Sequence, residues 1–398
     1  MSAFTADAAR AVGGPGWLVE RRLAAFERWA GTPPPTSTEE IWRYSRVDAL
    51  DLDRYRPEIA DGESGIPAAL DSLMAQLGER SGAVILRNGR VVFSDVDHAL
   101  SAKGVVVGDL ATADTSRDAL GRCSSDGADW FVDLHDAFLL GGALIEVPPG
   151  VVVDRPIFVF HVAEGDGIAS FPHTLVVAGE DSEVTVLEHH SSADVNHFSD
   201  AVVELSVGDA ARVEYVSLQD HGPSVWQIAL QRAHLGRDAT LRSAAVALGG
   251  DYARTRTESL LAGEGATSEM VAVYFANESQ MLDFRTLQDH AAPRTGSDLL
   301  FKGAVEDEAR SVYSGLIRLR PEAQRAHASQ TNRNLVLSPG AGAESIPNLE
   351  IEANDVRCSH ASAVGPIDED QLYYLQSRGV PPDVAERMIV FGFFEDVV

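Results

Sequence analysis

Four stretches decide the architecture: "VVAGEDSEVTV" at 176–186, "LSVGDAARVEYV" at 205–216, "AHLGRDATLRS" at 233–243 and "LLAGEGATSEMV" at 260–271. Each runs through apolar residues into a glycine, then two or three polar or small residues, then an alternation of apolar and polar positions. The glycines, Gly179, Gly208, Gly236 and Gly263, stand 29, 28 and 27 residues apart. Period-two alternation is a strand signal, because successive side chains leave a strand on opposite faces. A unit of about 28 residues with several short strands and no helical segment marks the coils of a parallel β-helix. "LFKGAVEDEARSVYSG" at 300–315 reads as a further copy and would place a corner at Gly303, 40 residues after Gly263. A β-sandwich of hairpins would also turn every 8–12 residues or so, but the steady interval favours the β-helix. Residues 136–362 are therefore assigned to the β-helix core.

On either side the pattern turns helical. Residues 1–135 form a helical and mixed region. Leu18, Arg21, Arg22, Ala25 and Phe26 describe an amphipathic helix ended by Gly31 and Pro33-Pro34-Pro35. Ser37-Thr38-Glu39-Glu40 would cap a second helix running through Trp42 and Tyr44, and a further helix is expected near 67–79. In "AVILRNGRVVFS" the Asn88-Gly89 pair predicts a hairpin. Residues 363–398 form a C-terminal helical region, its first helix capped by Asp368 and stopped by Gly379 with Pro381-Pro382. A stack of coils has two open ends that need covers, and the flanking helices are placed to supply them.

Composition excludes several classes of function. Asp and Glu number 60 against 32 Lys and Arg, a net charge of −28. That balance argues against binding nucleic acid or an anionic membrane, since phosphate needs a basic face. Residues 1–60 hold eight Arg and nine acidic residues, so the acidic excess lies downstream, where it keeps a long apolar core soluble. No run of apolar residues is long enough to span a bilayer. Met1 to Ala11 lacks a basic start followed by an apolar stretch, and two cysteines cannot build a disulfide framework; the expected location is cytoplasmic. Neither lysine, Lys103 or Lys302, follows a glycine, so no Walker A loop is present and any ATP chemistry belongs to a partner.

Few residues suggest chemistry on their own. In "LEIEANDVRCSHASAVG" a strand would put Cys358 and His360 on one face, about 6–7 Å apart. Thiolate and imidazole at that spacing could hold a soft metal or one edge of an iron–sulfur cluster. A small buried hydrophobe beside a hydrogen-bonded histidine is the competing reading. A cluster usually takes four ligands, so two from this chain leave the remainder to another. Cys123, in "GRCSSDG", has no partner and reads as structural. His189, His190 and His197 resemble a metal group, but their Ser/Asp-rich surroundings point to solvent-facing histidines. "GGPG" at 13–16 and "GAGAES" at 340–345 lack the strand-then-helix context of a phosphate loop, and "DHGPS" at 220–224 lacks a nucleophile elbow.

Three separated segments resemble one family, the SufB/SufD proteins of the SUF iron–sulfur cluster assembly system. They are "PGWLVERRLAAFERW" with the following "EEIWRYSR", "HDAFLLGGALIEVPPGVVVDRPI", and "NLEIEANDVRCSHASAVGPIDEDQLYYLQSRGV" with "MIVFGFFEDV". The "DVRCSHASAVG" run resembles the SufD branch, whereas SufB typically has a Glu-His-Glu-Ala-Thr-like run there. SufB also carries a β-helix cysteine thought to receive sulfur, and this chain has none between Cys123 and Cys358. The resemblance implies a right-handed parallel β-helix that acts as a scaffold and is not an enzyme. It implies pairing with a SufB-like subunit and a SufC-like ATPase, with a homodimer as the form adopted alone. No cofactor would reside in the isolated chain; iron or an iron–sulfur cluster would pass through the complex with SufB. His360 matches a proposed cluster-ligand or iron-handling position, with Cys358 beside it. The ATPase would meet the C-terminal helices through Leu372, Tyr373, Leu375, Arg378, Met388, Ile389, Phe391, Phe393 and Phe394. A structural homo-oligomer and a polysaccharide-active β-helix enzyme are the alternatives.

Overall fold

The computed structural model describes residues 3–59, 65–66, 70, 78–113, 116–124, 129–395 and 397. Two long parallel sheets face each other and the chain alternates between them, so the strands form a parallel β-solenoid of about 8 turns. One sheet runs from the edge strand Gly342–Ile351 back through Arg310–Leu319, Met281–His290, Tyr252–Leu261, Val225–Leu235 and His197–Val207. The other starts at Arg357–Gly365 and runs back through His327–Val336, Gly296–Val305, Thr267–Ala276, Thr240–Ala247, Arg212–Asp220 and Glu183–Ser192 to Ile157–Ala163.

The sequence interval is the register of this second sheet. Glu183 pairs with Arg212, Arg212 with Thr240 and Thr240 with Thr267, steps of 29, 28 and 27 residues. Gly179, Gly208, Gly236 and Gly263 accordingly lie along one edge, each against the backbone of the one before. The left-handed backbone that turns the corner falls two residues later, at Asp181 (φ 54°), Ala210 (φ 57°), Asp238 (φ 54°) and Gly265 (φ 77°). The glycines are needed for closeness of stacking, and the bend itself is made by other residues. The next two corners turn at Arg294 and Arg325 and contain no stacked glycine.

Gly303 therefore marks no corner. It sits inside the strand Gly296–Val305, opposite Tyr274, and the Tyr274 ring occupies the space a Cβ would need. The interval of 40 residues came from a glycine kept for packing.

Alternation along each strand sends one row inward. Val184, Val186, Leu205, Val207, Val213, Tyr215, Leu235 and Leu241 fill the early coils, while Met270, Tyr274, Phe284, Leu299, Phe301 and Tyr313 fill the later ones. The expected hairpin is present: Gly82–Arg87 and Arg90–Val96 pair antiparallel across Asn88 (φ 49°) and Gly89 (φ 85°). Gly82–Arg87 also pairs parallel with Ile157–Ala163, so this hairpin extends the second sheet.

The helix Gly16–Gly31 forms as expected and packs on the outer face of the first sheet, Leu18 with Leu144 and Leu175. The short helix His98–Ser101 packs Leu100 into the first coil. With Trp130–Phe138, the helix Gly16–Gly31 encloses Arg22, whose guanidinium donates to the carbonyls of Gly13, Leu139 and Leu140. An aromatic layer including Trp42, Phe131, Phe138, Phe171 and Phe198 joins these segments to the outer face of the first sheet. The helix expected through Trp42 and Tyr44 is a single turn, Glu40–Trp42. Tyr44 is left-handed (φ 64°), which an α-helix cannot accommodate, while Trp42 is buried under Arg254 and against Phe131. The helix expected near 67–79 lies largely outside the described residues.

At the other end the C-terminal helices leave the stack open. Glu369–Ser377 is capped by Asp368, which accepts the Asp370 and Gln371 N–H groups at 2.9 and 3.2 Å, and Gly379 (φ 90°) ends it. Pro382–Phe394 follows, with Ala385 its one buried residue. This helix reaches back along the solenoid: the Phe393 carbonyl accepts Lys302 Nζ at 2.7 Å, two strands in from the edge. Gly342–Ile351 and Arg357–Gly365 thus end their sheets with no further strand beyond them among the described residues.

Candidate functional site

The open end is where Cys358 and His360 stand. In the strand Arg357–Gly365, Cys358 pairs with Ala328 and His360 with Gln330. Ala328 and Gln330 belong to the inward, buried row of their strand, so Cys358 and His360 share the inward face of the last coil, as the spacing predicts. Cys358 is half-buried with Leu349 and Val356 over Ile317, Leu319 and Ala326. Burial raises its thiol above the usual range, so it stays protonated at neutral pH. His360 is exposed. Across the opening, Ser362 Oγ donates to Ser345 Oγ at 2.7 Å, and Ile351 and Val364 leave apolar surface in contact with water.

The residues assigned to ATPase docking form a second exposed surface. Tyr373 is 73% exposed, Met388 50% and Phe391 76%, with Arg378 also exposed and resting over the Tyr374 ring. Leu372, Leu375, Ile389, Phe393 and Phe394 are partly covered, Phe393 and Phe394 by each other at 5.1 Å between ring centroids. No helix among the described residues is long and apolar enough to cross a membrane.

Cys123 is structural in its surroundings. Its N–H and those of Gly121 and Ser124 donate to the buried Glu204 carboxylate. Burial and the nearby Glu204 push its thiol up to about 12.

The histidines are not solvent-facing as expected. His190 and His197 are buried and His189 is partly so. His197 Nε2 meets Ser170 Oγ at 2.8 Å. His190 lies inside the solenoid beside two groups that sequence reasoning missed, His161 and Glu188. His161 Nε2 is 2.6 Å from Glu188 Oε1, and His190 Nε2 is 3.6 Å from the same oxygen. The signal was present in "EVTVLEHHSS": Val184, Val186, Glu188 and His190 are one inward row, and the 29-residue step brings His161 opposite His190. In "DHGPS", His221 is buried and Ser224 exposed, so they form no triad.

Residues 160–393 match the model of the family described as the SUF system FeS cluster assembly, SufBD core domain. The chain belongs to this family. The matched SufBD region spans the solenoid from Ile157–Ala163 onward and both C-terminal helices to Phe393, with Cys358 and His360 inside it. Among relatives, the iron–sulfur cluster assembly protein SufD of Escherichia coli is 30% identical over 90% of this chain and 83% of its own length. The Bacillus subtilis SufD is 30% identical over 96% and 90%. An iron–sulfur cluster assembly SufBD family protein of Mycobacterium tuberculosis is 36% identical over 64% of this chain, a match spanning 66% of that relative's length.

Proposed function

We propose that this chain is a SufD-like scaffold of iron–sulfur cluster assembly that joins a SufB-like subunit through its open solenoid end. The observation that carries this reading is the uncovered last coil. Two free edge strands offer unpaired backbone groups to another chain, an arrangement that ordinary solenoids blunt or cover. Cys358 and His360 lie on the inward face of that same coil, so a partner closing the end would enclose them. There they supply one imidazole and one thiol, and the partner supplies the remaining ligands of a passing iron ion or cluster. His360 is the readier ligand, because the half-buried Cys358 must first lose its proton.

The energy for opening and closing this junction comes from a SufC-like ATPase docked on the C-terminal helices, since this chain has no Walker lysine. Tyr373, Met388 and Phe391 are large, exposed side chains on the two C-terminal helices, the composition of interface anchors.

Co-expression with SufB-like and SufC-like subunits tests the reading. Ile351→Lys with Val364→Lys, which charges the open end, should abolish co-purification with the SufB-like subunit while leaving the chain folded. In the wild-type complex, His360→Ala should lower iron and sulfide content and Cys123→Ala should not. Intact pairing in the charged variant, or equal content in the two single variants, overturns the corresponding part.

A further inference from the structure

We propose that His161, Glu188 and His190 form a binding site inside the solenoid for one divalent transition-metal ion, zinc or ferrous iron. The site is separate from the open end and does not depend on the assembly role. Its three ligand atoms all lie within 4.8 Å of one another and all three residues are buried. Ligand atoms around a tetrahedral zinc ion at 2.0–2.2 Å sit about 3.4 Å apart. The His190 Nε2 to Glu188 Oε1 distance, 3.6 Å, is within a few tenths of an ångström of that spacing. The His161 Nε2 to Glu188 Oε1 contact, 2.6 Å, is a hydrogen bond that the ion would replace.

The donor set is built by the fold. His161 and His190 are register partners on adjacent strands, their rings stacked 4.5 Å apart and 11° from parallel. Both direct Nε2 toward Glu188, two residues before His190. Thr174 Oγ1, from the facing sheet, donates to Glu188 Oε1 at 2.6 Å and lies 3.1 Å from His161 Nε2, fixing the carboxylate beside the His161 ring. Such a hydrogen bond to a ligating carboxylate is the usual support for a metal ligand.

Unpartnered atoms supply an independent observation. Glu188 Oε2, His161 Nδ1, His190 Nδ1 and both ring nitrogens of His221 are buried without a hydrogen-bond partner. Buried polar atoms are ordinarily paired, and here the free oxygen of Glu188 is left without a partner in a group of two imidazoles that each also leave Nδ1 unpaired. Among the described residues the ion-pair partners of Glu188 are the two imidazoles, with no arginine or lysine. A buried carboxylate in that position lacks a cation, and a divalent ion would supply one.

His221 is a buried neighbour of the group, its ring 6.1 Å from that of His190. Two imidazoles and a carboxylate suit zinc with one open position and also ferrous iron; they offer no thiolate to favour a softer ion.

The full-length chain, stripped with chelator and kept anaerobic, is titrated with Co2+ and its visible d–d absorption recorded. Zn2+ and Fe2+ competition in separate arms distinguishes the two ions. One equivalent should bind and raise the melting temperature. Glu188→Gln and His190→Asn should each weaken binding by at least about tenfold, whereas His360→Ala should not. Circular dichroism checks that each variant folds, and His161→Gln replaces either one that does not. Absence of stoichiometric Co2+ binding, equal affinity in the folded variants, or loss of binding in His360→Ala would each overturn the assignment.

Discussion

Arg254 donates to Asp283 Oδ2 at 2.6 Å with both side chains shut away from water. The same guanidinium donates to the Ile41 carbonyl at 2.7 Å and lies 4.0 Å over the Trp42 ring. Asp283 also accepts Tyr252 Oη at 3.0 Å and Arg285 Nε at 2.7 Å, and Arg285 in turn donates to the Arg43 carbonyl. Burial alone would raise the Asp283 carboxyl, but Arg254 and Arg285 hold it below its usual range. One carboxylate thus ties the segment around 41–43 to the first sheet.

Asp283→Ala should cost about 3–5 kcal/mol, because it strands two buried guanidinium groups. Urea unfolding measures the loss, and limited proteolysis should show the 41–43 segment opening first. An unchanged midpoint would mean that the network contributes little to stability.

The stacked corners predict opposite effects at neighbouring positions. A Cβ on Gly208 would lie 2.8 Å from the Ala178 carbonyl oxygen and 3.0 Å from the Gly179 carbonyl carbon. Gly208→Ala should therefore destabilise by about 1–3 kcal/mol. Ala210, left-handed at φ 57°, should tolerate Ala210→Gly with no loss and a gain of up to about 1 kcal/mol. Thermal unfolding of the two variants checks the order.

Stability should fall on mild acidification. Burial pushes His290 down to about 4, where Nδ1 meets Thr295 Oγ1 at 2.8 Å and Nε2 meets Ser297 Oγ at 2.9 Å. The unfolded chain, with an ordinary histidine near 6.5, binds the proton first as pH drops. The stabilisation is complete above about 6.5 and is lost progressively toward about 4, amounting to about 2 kcal/mol by pH 5. His290→Asn should flatten this slope in urea unfolding at pH 5 to 7; an identical slope would remove His290 from the linkage.

The docking proposal predicts a separation of folding from binding. Phe391→Ala and Tyr373→Ala change side chains that are mostly in water, so thermal stability should hold. Affinity for the ATPase should fall by roughly thirtyfold for an anchor, about 2 kcal/mol. Deletion from Asp383 onward should abolish ATPase binding and spare pairing with the SufB-like subunit. Wild-type affinity in the deletion would place the docking surface elsewhere.

Local signals carried much of this protein. The spacing of Gly179, Gly208, Gly236 and Gly263 is the strand register, because each coil must repeat the path of the last for the backbones to bond. Asn88-Gly89, Asp368 and Gly379 act through their own backbone neighbours, so their turn, cap and stop were legible from the chain alone. Cys358 and His360 share a face because strands alternate. Tertiary structure alone decided the rest. Gly303 looks like the corner glycines in sequence, yet it exists to admit Tyr274 from the next strand. Of the flanking helices, the short His98–Ser101 packs Leu100 into the first coil, whereas Trp42, Arg254 and Asp283 fix the segment around 41–43 to a sheet face and Lys302 holds the last helix back from the opening. His161, Glu188 and His190 become one group only when residues 27 and 29 apart are brought onto adjacent strands. Periodicity specifies which coil a side chain occupies, whereas the groups facing one another inside depend on how the strands and both sheets pack.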